Sequence, residues 1–149
     1  VIDGLECVLT LYHNQLKHGI DVVKAYGDAP PIPCYPDELN QVWTNLIHNA
    51  VQAMRGNGRL EISVNTCEVS ETSQVSGVLI EITDSGPGIP DKIKPRIFEP
   101  FFTTKPAGEG SGLGLDICQK IIDKHQGKID FDSQPGRTTF RVFLPVMKS

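Results

Sequence analysis

Asp84 and the glycines that follow it are the residues of this sequence best suited to hold a ligand. A segment of alternating residue types, 77–83, leads directly into Asp84. Because side chains along a strand alternate between its two faces, Asp84 shares the apolar face of this segment. A carboxylate that points into a core is costly unless it meets a hydrogen-bond donor. Gly86 and Gly88 let the backbone turn tightly and approach a bound molecule, so we expect a ligand pocket here.

A predicted helix over 36–54 carries two asparagines, Asn45 and Asn49, that project from the same side because they are four residues apart. Asn49 borders the apolar face of the helix, from where its side-chain carbonyl would reach a cleft. Oxygen ligands of this kind suit Mg²⁺, which commonly bridges protein oxygens and phosphate. Taken alone, the polar stripe that contains both asparagines is more simply interpreted as a solvated helix face.

A glycine-rich segment, Gly108–Gly114, runs directly into the start of another predicted helix. The free N–H groups and the positive dipole end of such a helix start form a cradle for phosphate, and Lys105 lies just upstream. A flexible loop is an equally good interpretation of this segment by itself. The sequence lacks the glycine-lysine pattern of a P-loop, and Gly86 and Gly88 do not complete a dinucleotide-binding fingerprint.

Hydrophobic periodicity predicts the elements that must position these residues. Helices are expected at 3–18, 36–54 and 112–126, with a short one at 90–96, and strands at 20–26, 59–67, 77–83, 127–133 and 138–144. Residues 100–112 are rich in Gly, Pro and Thr, and we expect them to form a mobile loop. Neither a repeat nor a linker divides the sequence, so residues 1–149 are expected to form a single domain.

The composition excludes several classes of partner. The formal charge of the 149-residue chain is −4, which gives no reason to expect nucleic-acid binding. The apolar runs are too short to cross a membrane, and no signal-peptide pattern opens the sequence. We therefore expect a cytoplasmic domain that makes no membrane contact. Because the first residue is valine, we also expect a longer parent protein, which is free to carry a membrane anchor elsewhere.

The cysteines and histidines show no pattern of metal ligands. Cys7, Cys34, Cys67 and Cys118 are widely spaced, without a C-x-x-C pair, so buried free thiols in a reducing compartment are expected. The four histidines also lack metal-ligand spacing, and we expect them at the surface.

Taken in order, these motifs resemble the catalytic ATP-binding domain of sensor histidine kinases, in the Bergerat-fold superfamily. The resemblance is carried by an N box at 45–50, a G1 box at 84–89, an F box at 98–105 and a G2 box at 110–115. Residues 136–145 are similar to the last motif of that family, although Arg137 interrupts the more usual pair of glycines. The resemblance implies an α/β two-layer sandwich, in which a mixed, largely antiparallel sheet packs against about three helices, with a mobile ATP lid.

The resemblance also implies that the ligands are ATP and Mg²⁺. Asp84 would accept a hydrogen bond from the exocyclic amine of adenine, in a pocket shaped by Gly86, Gly88 and Ile89. Asn45 and Asn49 would be the catalytic asparagines of the N box, and Asn49 would hold Mg²⁺ on the triphosphate. The remaining ATP-binding residues implied by the resemblance are Lys105, Gly110, Gly112, Leu113 and Gly114, which would contact the phosphates and let the lid close. Gln52 stands where many relatives carry a basic phosphate contact.

Asn45 favours a kinase over the ATPases that share this fold. Those enzymes carry a glutamate at this position to activate water, and an amide is not a useful general base. None of the histidines is followed by Asp or Glu, as an acceptor of this family usually is. We therefore expect the phosphoacceptor histidine upstream in the parent, on a dimerisation domain, and a response regulator that receives the phosphate. A Bergerat-fold ATPase and a catalytically silent ATP-binding regulatory module remain as alternatives.

Overall fold

The computed structural model describes residues 2–11, 13, 19–27, 35–54, 57–68, 76–99 and 114–146. Its strands are β1 (Ile20–Tyr26), β2 (Gly58–Glu68), β3 (Ser76–Asp84), β4 (Lys128–Gln134) and β5 (Arg137–Val146). They form one five-stranded sheet in the order β1-β2-β3-β5-β4. The pair β1 and β2 is parallel and the other neighbours are antiparallel. The sheet is thus mixed and largely antiparallel, as predicted, and it brings β5 between β3 and β4.

In the part of the chain that the structure describes, three α-helices cover one face of this sheet. They are α1 (Ile2–Leu11), α2 (Pro36–Met54) and α3 (Gly114–Lys124). The central helix α2 packs on β2 and β3, with α1 against one of its sides and α3 against the other. This arrangement confirms the predicted two-layer sandwich.

The helix α2 forms as its sequence predicts. It begins at Pro36, whose fixed φ suits a first helical position, and Asp37 and Glu38 follow in the first turn, where negative charge is favourable. Its apolar stripe is buried: Leu39, Val42, Trp43, Leu46, Ile47, Ala50, Val51 and Met54 are each at most 8% exposed. They pack on the buried face of the sheet, so α2 forms the centre of the core.

Two predicted helices end differently in the structure. The short helix expected at 90–96 is a single 3₁₀ turn, Lys94–Arg96, because Pro95 has no N–H to continue a helical ladder. The helix expected to reach Gln126 ends at Lys124. Gln126 adopts a φ of 61°, and Gly127 N–H bonds back to the Ile122 carbonyl at 2.9 Å, which closes the helix with a Schellman motif.

The burial predictions for Cys7 and His125 are wrong. Cys7 is exposed, because it lies on the side of α1 opposite its buried leucines and valine. His125 is half-buried, since its Nε2 accepts a hydrogen bond from the Tyr35 N–H at 3.1 Å and its ring meets the Tyr35 ring edge-on at 5.7 Å. Cys118 is buried, as predicted, and His13 is exposed, as predicted.

His48 is half-buried on α2 and, like His125, departs from the surface position expected for it. The predictions for Cys34 and His18, and for the side chain of Cys67, fall outside the described residues. Among the helices described, none has both the length and the apolar character that crossing a bilayer requires.

Candidate functional site

The carboxyl group of Asp84 lies inside the protein at the end of β3. Only 5% of the residue is exposed, and it shares its face of the strand with Ile80 and Ile82, which confirms the predicted orientation. Burial raises the pKa of the Asp84 carboxyl, and the hydrogen bond from the Gly86 N–H to Oδ1, 2.9 Å long, partly opposes this rise. Among the described residues, the Gly86 N–H is the group that donates a hydrogen bond to the Asp84 carboxyl.

The two glycines after Asp84 are required by close packing. A Cβ atom at Gly86 would lie 2.9 Å from Asp84 Oδ1 and 3.1 Å from the Ala53 carbonyl oxygen, at the end of α2. Gly88 has a φ of 91°, and a Cβ there would lie 2.6 Å from the Gln134 carbonyl oxygen. The turn therefore passes between the end of α2 and the β4–β5 hairpin, and a side chain at Gly86 or Gly88 would collide with one of these two neighbours.

Ser85 fixes the same turn from the side of β2. Its Oγ accepts a hydrogen bond from the Arg59 N–H at 2.8 Å and lies 3.6 Å from Met54 Sδ. Sequence reasoning missed this role because a serine within a glycine-rich turn carries no periodic signal. Ser85 joins the start of β2 and the end of α2 to the turn that follows Asp84.

Ser133 and Thr138, on β4 and β5, hold the far end of the turn, and the sequence did not single them out. The Ile89 N–H donates to Ser133 Oγ at 2.7 Å, and Ser133 Oγ lies 2.7 Å from Thr138 Oγ1. Ile89 itself is half-buried against the core, beside the glycines with which it was predicted to form a pocket. Serine and threonine in alternating strands are common, so only the fold reveals that these hydroxyls meet.

Asn45 lies between two helices. Its Nδ2 donates to Cys118 Sγ on α3 at 3.7 Å, and the thiol in turn lies 3.9 Å from the Val42 carbonyl oxygen. Burial raises the pKa of Cys118 to about 12, so the thiol stays protonated at neutral pH. Asn45 and Asn49 are both half-buried, so the interpretation of their stripe as a solvated helix face is only partly correct.

Three buried oxygens near the ends of these helices lack a hydrogen-bond partner among the described residues, and one of them, Glu38 Oε2, belongs to a carboxylate whose other oxygen pairs with Lys124. The other two have no such pairing at close range among these residues. They are Gln52 Oε1 on α2 and Asp116 Oδ1 in the first turn of α3. Asp116 is only 6% exposed, and Lys120 Nζ lies 3.8 Å from its other oxygen. Polar atoms buried in this way call for a partner that the described part of the protein does not supply.

The predicted phosphate-binding segment falls largely outside the described residues. Lys105, Gly110, Gly112 and Leu113 lie there, as does the predicted lid over 100–112, whereas Gly114 opens α3. The residues that lead into that segment, which we call its root, are described up to residue 99.

Phe98 anchors this root on the core. Its ring lies 5.9 Å from the ring of Phe131, which stacks on Phe140 at 5.6 Å. Phe98 therefore packs on the core at the point where the undescribed segment begins, and the other two phenylalanines of the F box, Phe101 and Phe102, fall outside the described part.

Comparison with known proteins agrees with this arrangement. A family model described as histidine kinase-, DNA gyrase B-, and HSP90-like ATPase matches residues 34–148, which is well over half of the chain. The chain belongs to this family. Members of the family that are similar to it include the sensory histidine kinase/phosphatase NtrB of Klebsiella oxytoca, 36% identical over 150 residues, and sporulation kinase E of Bacillus subtilis strain 168, 37% identical over 150 residues.

The chain spans less than half the length of these relatives. The match covers 96% of this chain and 42% of NtrB, and 99% of this chain and 18% of sporulation kinase E. One solved structure is similar over most of its length. The nucleotide-free catalytic domain of histidine kinase ThkA is 33% identical with a TM-score of 0.79, covering 96% of this chain and 92% of that one.

A second ThkA structure, in complex with the response regulator protein TrrA, is 31% identical with a TM-score of 0.77, and the match covers 99% of this chain and 40% of that one. The 149-residue chain therefore has the fold of a histidine kinase catalytic domain, which confirms the predicted Bergerat fold.

Proposed function

We propose that residues 1–149 form the catalytic ATP-binding domain of a sensor histidine kinase. The domain binds Mg-ATP and transfers the γ-phosphate to a histidine on a separate dimerisation domain, as part of two-component signal transduction. The observation that carries this proposal is the buried carboxylate of Asp84 at the end of β3, followed by a glycine turn that packs between the end of α2 and the β4–β5 hairpin. The family to which the chain belongs supports it.

Asp84 selects adenine in this proposal. Its carboxylate accepts a hydrogen bond from the exocyclic amine, and Gly86, Gly88 and Ile89 form the walls of the base pocket. A hydrogen bond to a charged group contributes about 1.5–3 kcal/mol. Guanine presents a carbonyl oxygen at the same ring position and would leave the buried carboxylate without a partner, so a site built in this way rejects it.

The N-box asparagines fit the phosphates and their cation. A side-chain amide oxygen is a ligand that Mg²⁺ accepts, so Asn49, with the support of Asn45, would hold the ion against the triphosphate. Bound there, Mg²⁺ would neutralise phosphate charge. Lys105, Gly110, Gly112, Leu113 and Gly114 would contact the phosphates from the other side. Among the described residues, the buried oxygens Gln52 Oε1 on α2 and Asp116 Oδ1 in the first turn of α3 lack a hydrogen-bond partner, which supports a polar ligand at these helices.

The surroundings of Asn45 favour phosphate transfer to a protein over hydrolysis. A general base must accept a proton, and neither the Asn45 amide nor the protonated thiol of Cys118 beside it does so at neutral pH. Water is therefore not activated from this position. The γ-phosphate stays intact until a histidine of a dimerisation domain reaches it, and a cytoplasmic response regulator then takes the phosphate.

Phosphorylation of an acceptor domain tests the proposed function. The chain is mixed with the dimerisation domain of its own parent protein and with γ-³²P-ATP and Mg²⁺. We expect acid-labile label on the acceptor histidine, and much less of it with the Asp84→Asn variant at ATP concentrations that do not saturate the variant. Release of free phosphate without labelled acceptor would identify an ATPase, and bound ATP with neither product would identify a silent regulatory module. Either outcome contradicts the proposal.

A further inference from the structure

The turn from Asp84 to Ile89 is fixed at both ends by the β4–β5 hairpin. At its first end, Asp84 is paired with Thr138 across the β3–β5 ladder. Residues paired in an antiparallel ladder share a face of the sheet, so Thr138, which is 4% exposed, lies on the buried face with Asp84. The site carboxylate is thus positioned by strand pairing.

A pair of hydroxyl groups reaches the second end of the turn. Ser133 is paired with Thr138 in the β4–β5 ladder, and their hydroxyl oxygens lie 2.7 Å apart. Ser133 Oγ also accepts the Ile89 N–H at 2.7 Å. A serine hydroxyl has one hydrogen to donate and two lone pairs, so Ser133 can accept from Ile89 and still donate to Thr138. The hydroxyl pair therefore connects the two ends of the turn.

Other contacts between hairpin and turn involve the backbone of the hairpin. Lys94 Nζ donates to the Ser133 carbonyl oxygen at 2.7 Å and pairs with Asp91 at 2.8 Å. Gly88 packs against the Gln134 carbonyl. None of these contacts uses the Ser133 side chain, so removing its hydroxyl leaves them in place. The hydroxyl can be tested separately from the packing of the hairpin.

We propose that Ser133 is a positioning residue for the nucleotide site. Its hydroxyl holds the Ile89 N–H, and through it the glycine turn, in the place that leaves the adenine pocket open beside Asp84. This inference rests on the proposed function and adds to it a residue of β4, 44 positions from Ile89, that does not itself touch the nucleotide.

The test compares Ser133→Ala with Ser63→Ala, in the whole 149-residue chain. Ser63 is a matched control because it is also a half-buried strand serine, and it lies on β2, away from the turn. ADP affinity is measured by calorimetric titration, and exchange of the Ile89 amide hydrogen by NMR. Loss of one hydrogen bond of ordinary strength predicts about a three- to tenfold weaker ADP affinity in Ser133→Ala, with faster Ile89 exchange and neither change in Ser63→Ala.

Conservative variants separate positioning from general stability. Ser133→Thr keeps the hydroxyl, and we expect ADP affinity within about twofold of the unmodified chain. Ser133→Cys, of similar size but a weak acceptor, is expected to lose affinity as the alanine variant does, and it replaces that variant if alanine prevents folding. Unchanged ADP affinity despite faster Ile89 exchange would overturn the inference.

The inference would also be overturned if ADP affinity falls in parallel with the thermal midpoint across the Ser133 variants and Ser133→Thr does not restore it. Ser133 would then contribute only to the stability of the fold. The unmodified chain distinguishes this failure from failure of the proposed function. If that chain itself binds no ADP, then the proposed function fails and the inference fails with it. If it binds ADP and Ser133→Ala binds equally well, only the inference fails.

Discussion

Among single residues, Asp84 carries the largest part of the proposed nucleotide recognition. Replacing it with asparagine keeps the size of the side chain and removes its charge. We expect Asp84→Asn to weaken ATP binding by about 1.5–3 kcal/mol, the contribution of a charged hydrogen bond. The thermal midpoint should not fall, because the variant removes a buried charge that desolvation disfavours.

Calorimetric titration with ATP and a thermal melt of the same preparations check this prediction. Asp21→Asn is the matched control, since Asp21 is exposed on the edge strand β1. The assignment of Asp84 is contradicted by an affinity equal to that of the unmodified chain, or by an equal loss of affinity in the control.

The raised pKa of Asp84 also predicts a pH dependence. Above the ordinary value of 3.8 and up to the raised pKa, the folded state binds the proton more tightly than the unfolded state does. The stability of the ligand-free chain relative to Asp84→Asn should therefore be greatest below this window and fall as the pH rises through it. ATP affinity should change in the opposite direction, because the carboxylate is the form that accepts the adenine amine.

Thermal melts and ATP titrations of both proteins across this range of pH provide the measurement. A stability difference between the unmodified chain and Asp84→Asn that does not change with pH would show that Asp84 titrates normally in the folded state.

At the scale of elements, the turn after β3 depends on where the β4–β5 hairpin lies. Gly88 and Gly136 have nearly equal φ angles of 91° and 88°, yet a Cβ at Gly136 would meet nothing within 4 Å, whereas one at Gly88 would meet the Gln134 carbonyl oxygen at 2.6 Å. Gly136→Ala should thus cost only the backbone strain of a positive φ, about 1–2 kcal/mol. Gly88→Ala should cost more and should also weaken ATP binding.

Urea unfolding and ATP titration of the two variants measure these effects. Because the backbone angles are matched, the difference between the variants reports the contact between turn and hairpin. Equal losses of stability, together with unchanged ATP affinity in Gly88→Ala, would show that the hairpin does not shape the pocket.

Sequence periodicity predicted the elements because their signals are local. Pro36 and the acidic residues after it mark the start of α2, and the apolar stripe of that helix is continuous. The inward orientation of Asp84 follows from counting along one strand. The contacts of Ser133 with Ile89, and of Ser85 with Arg59, could not be predicted in this way, because they join residues 44 and 26 positions apart.

Two errors have simple physical causes. Cys7 was expected to be buried from its residue type, although its place on α1, away from Leu5 and Val8, indicates the exposed side. The helix expected to extend to Gln126 stops earlier because Gln126 takes a left-handed backbone conformation, which is more usual for glycine. Residue type was the weaker guide in both cases.

At the scale of the whole molecule, the strand order assembles the candidate site at one end of the sheet. Because β5 lies between β3 and β4, the hairpin that joins β4 to β5 comes to lie beside the turn that leaves β3. The end of α2 closes the same space through Ala53 and Met54. Residues from β3, β4, β5 and α2 therefore meet around the turn that begins at Asp84. Asn45 and Asn49 lie on α2, which belongs to the same helix layer as α3.

The central claim is that this chain binds Mg-ATP and keeps its γ-phosphate for an external histidine. The most direct test is ³¹P NMR of the chain with Mg-ATP, followed over hours, with Asp84→Asn as the control for specific binding. We expect shifted ATP resonances with the unmodified chain, weaker shifts with the variant, and ATP that persists throughout. ATP resonances that do not respond to the protein, or a steady growth of ADP and free phosphate, would contradict the claim.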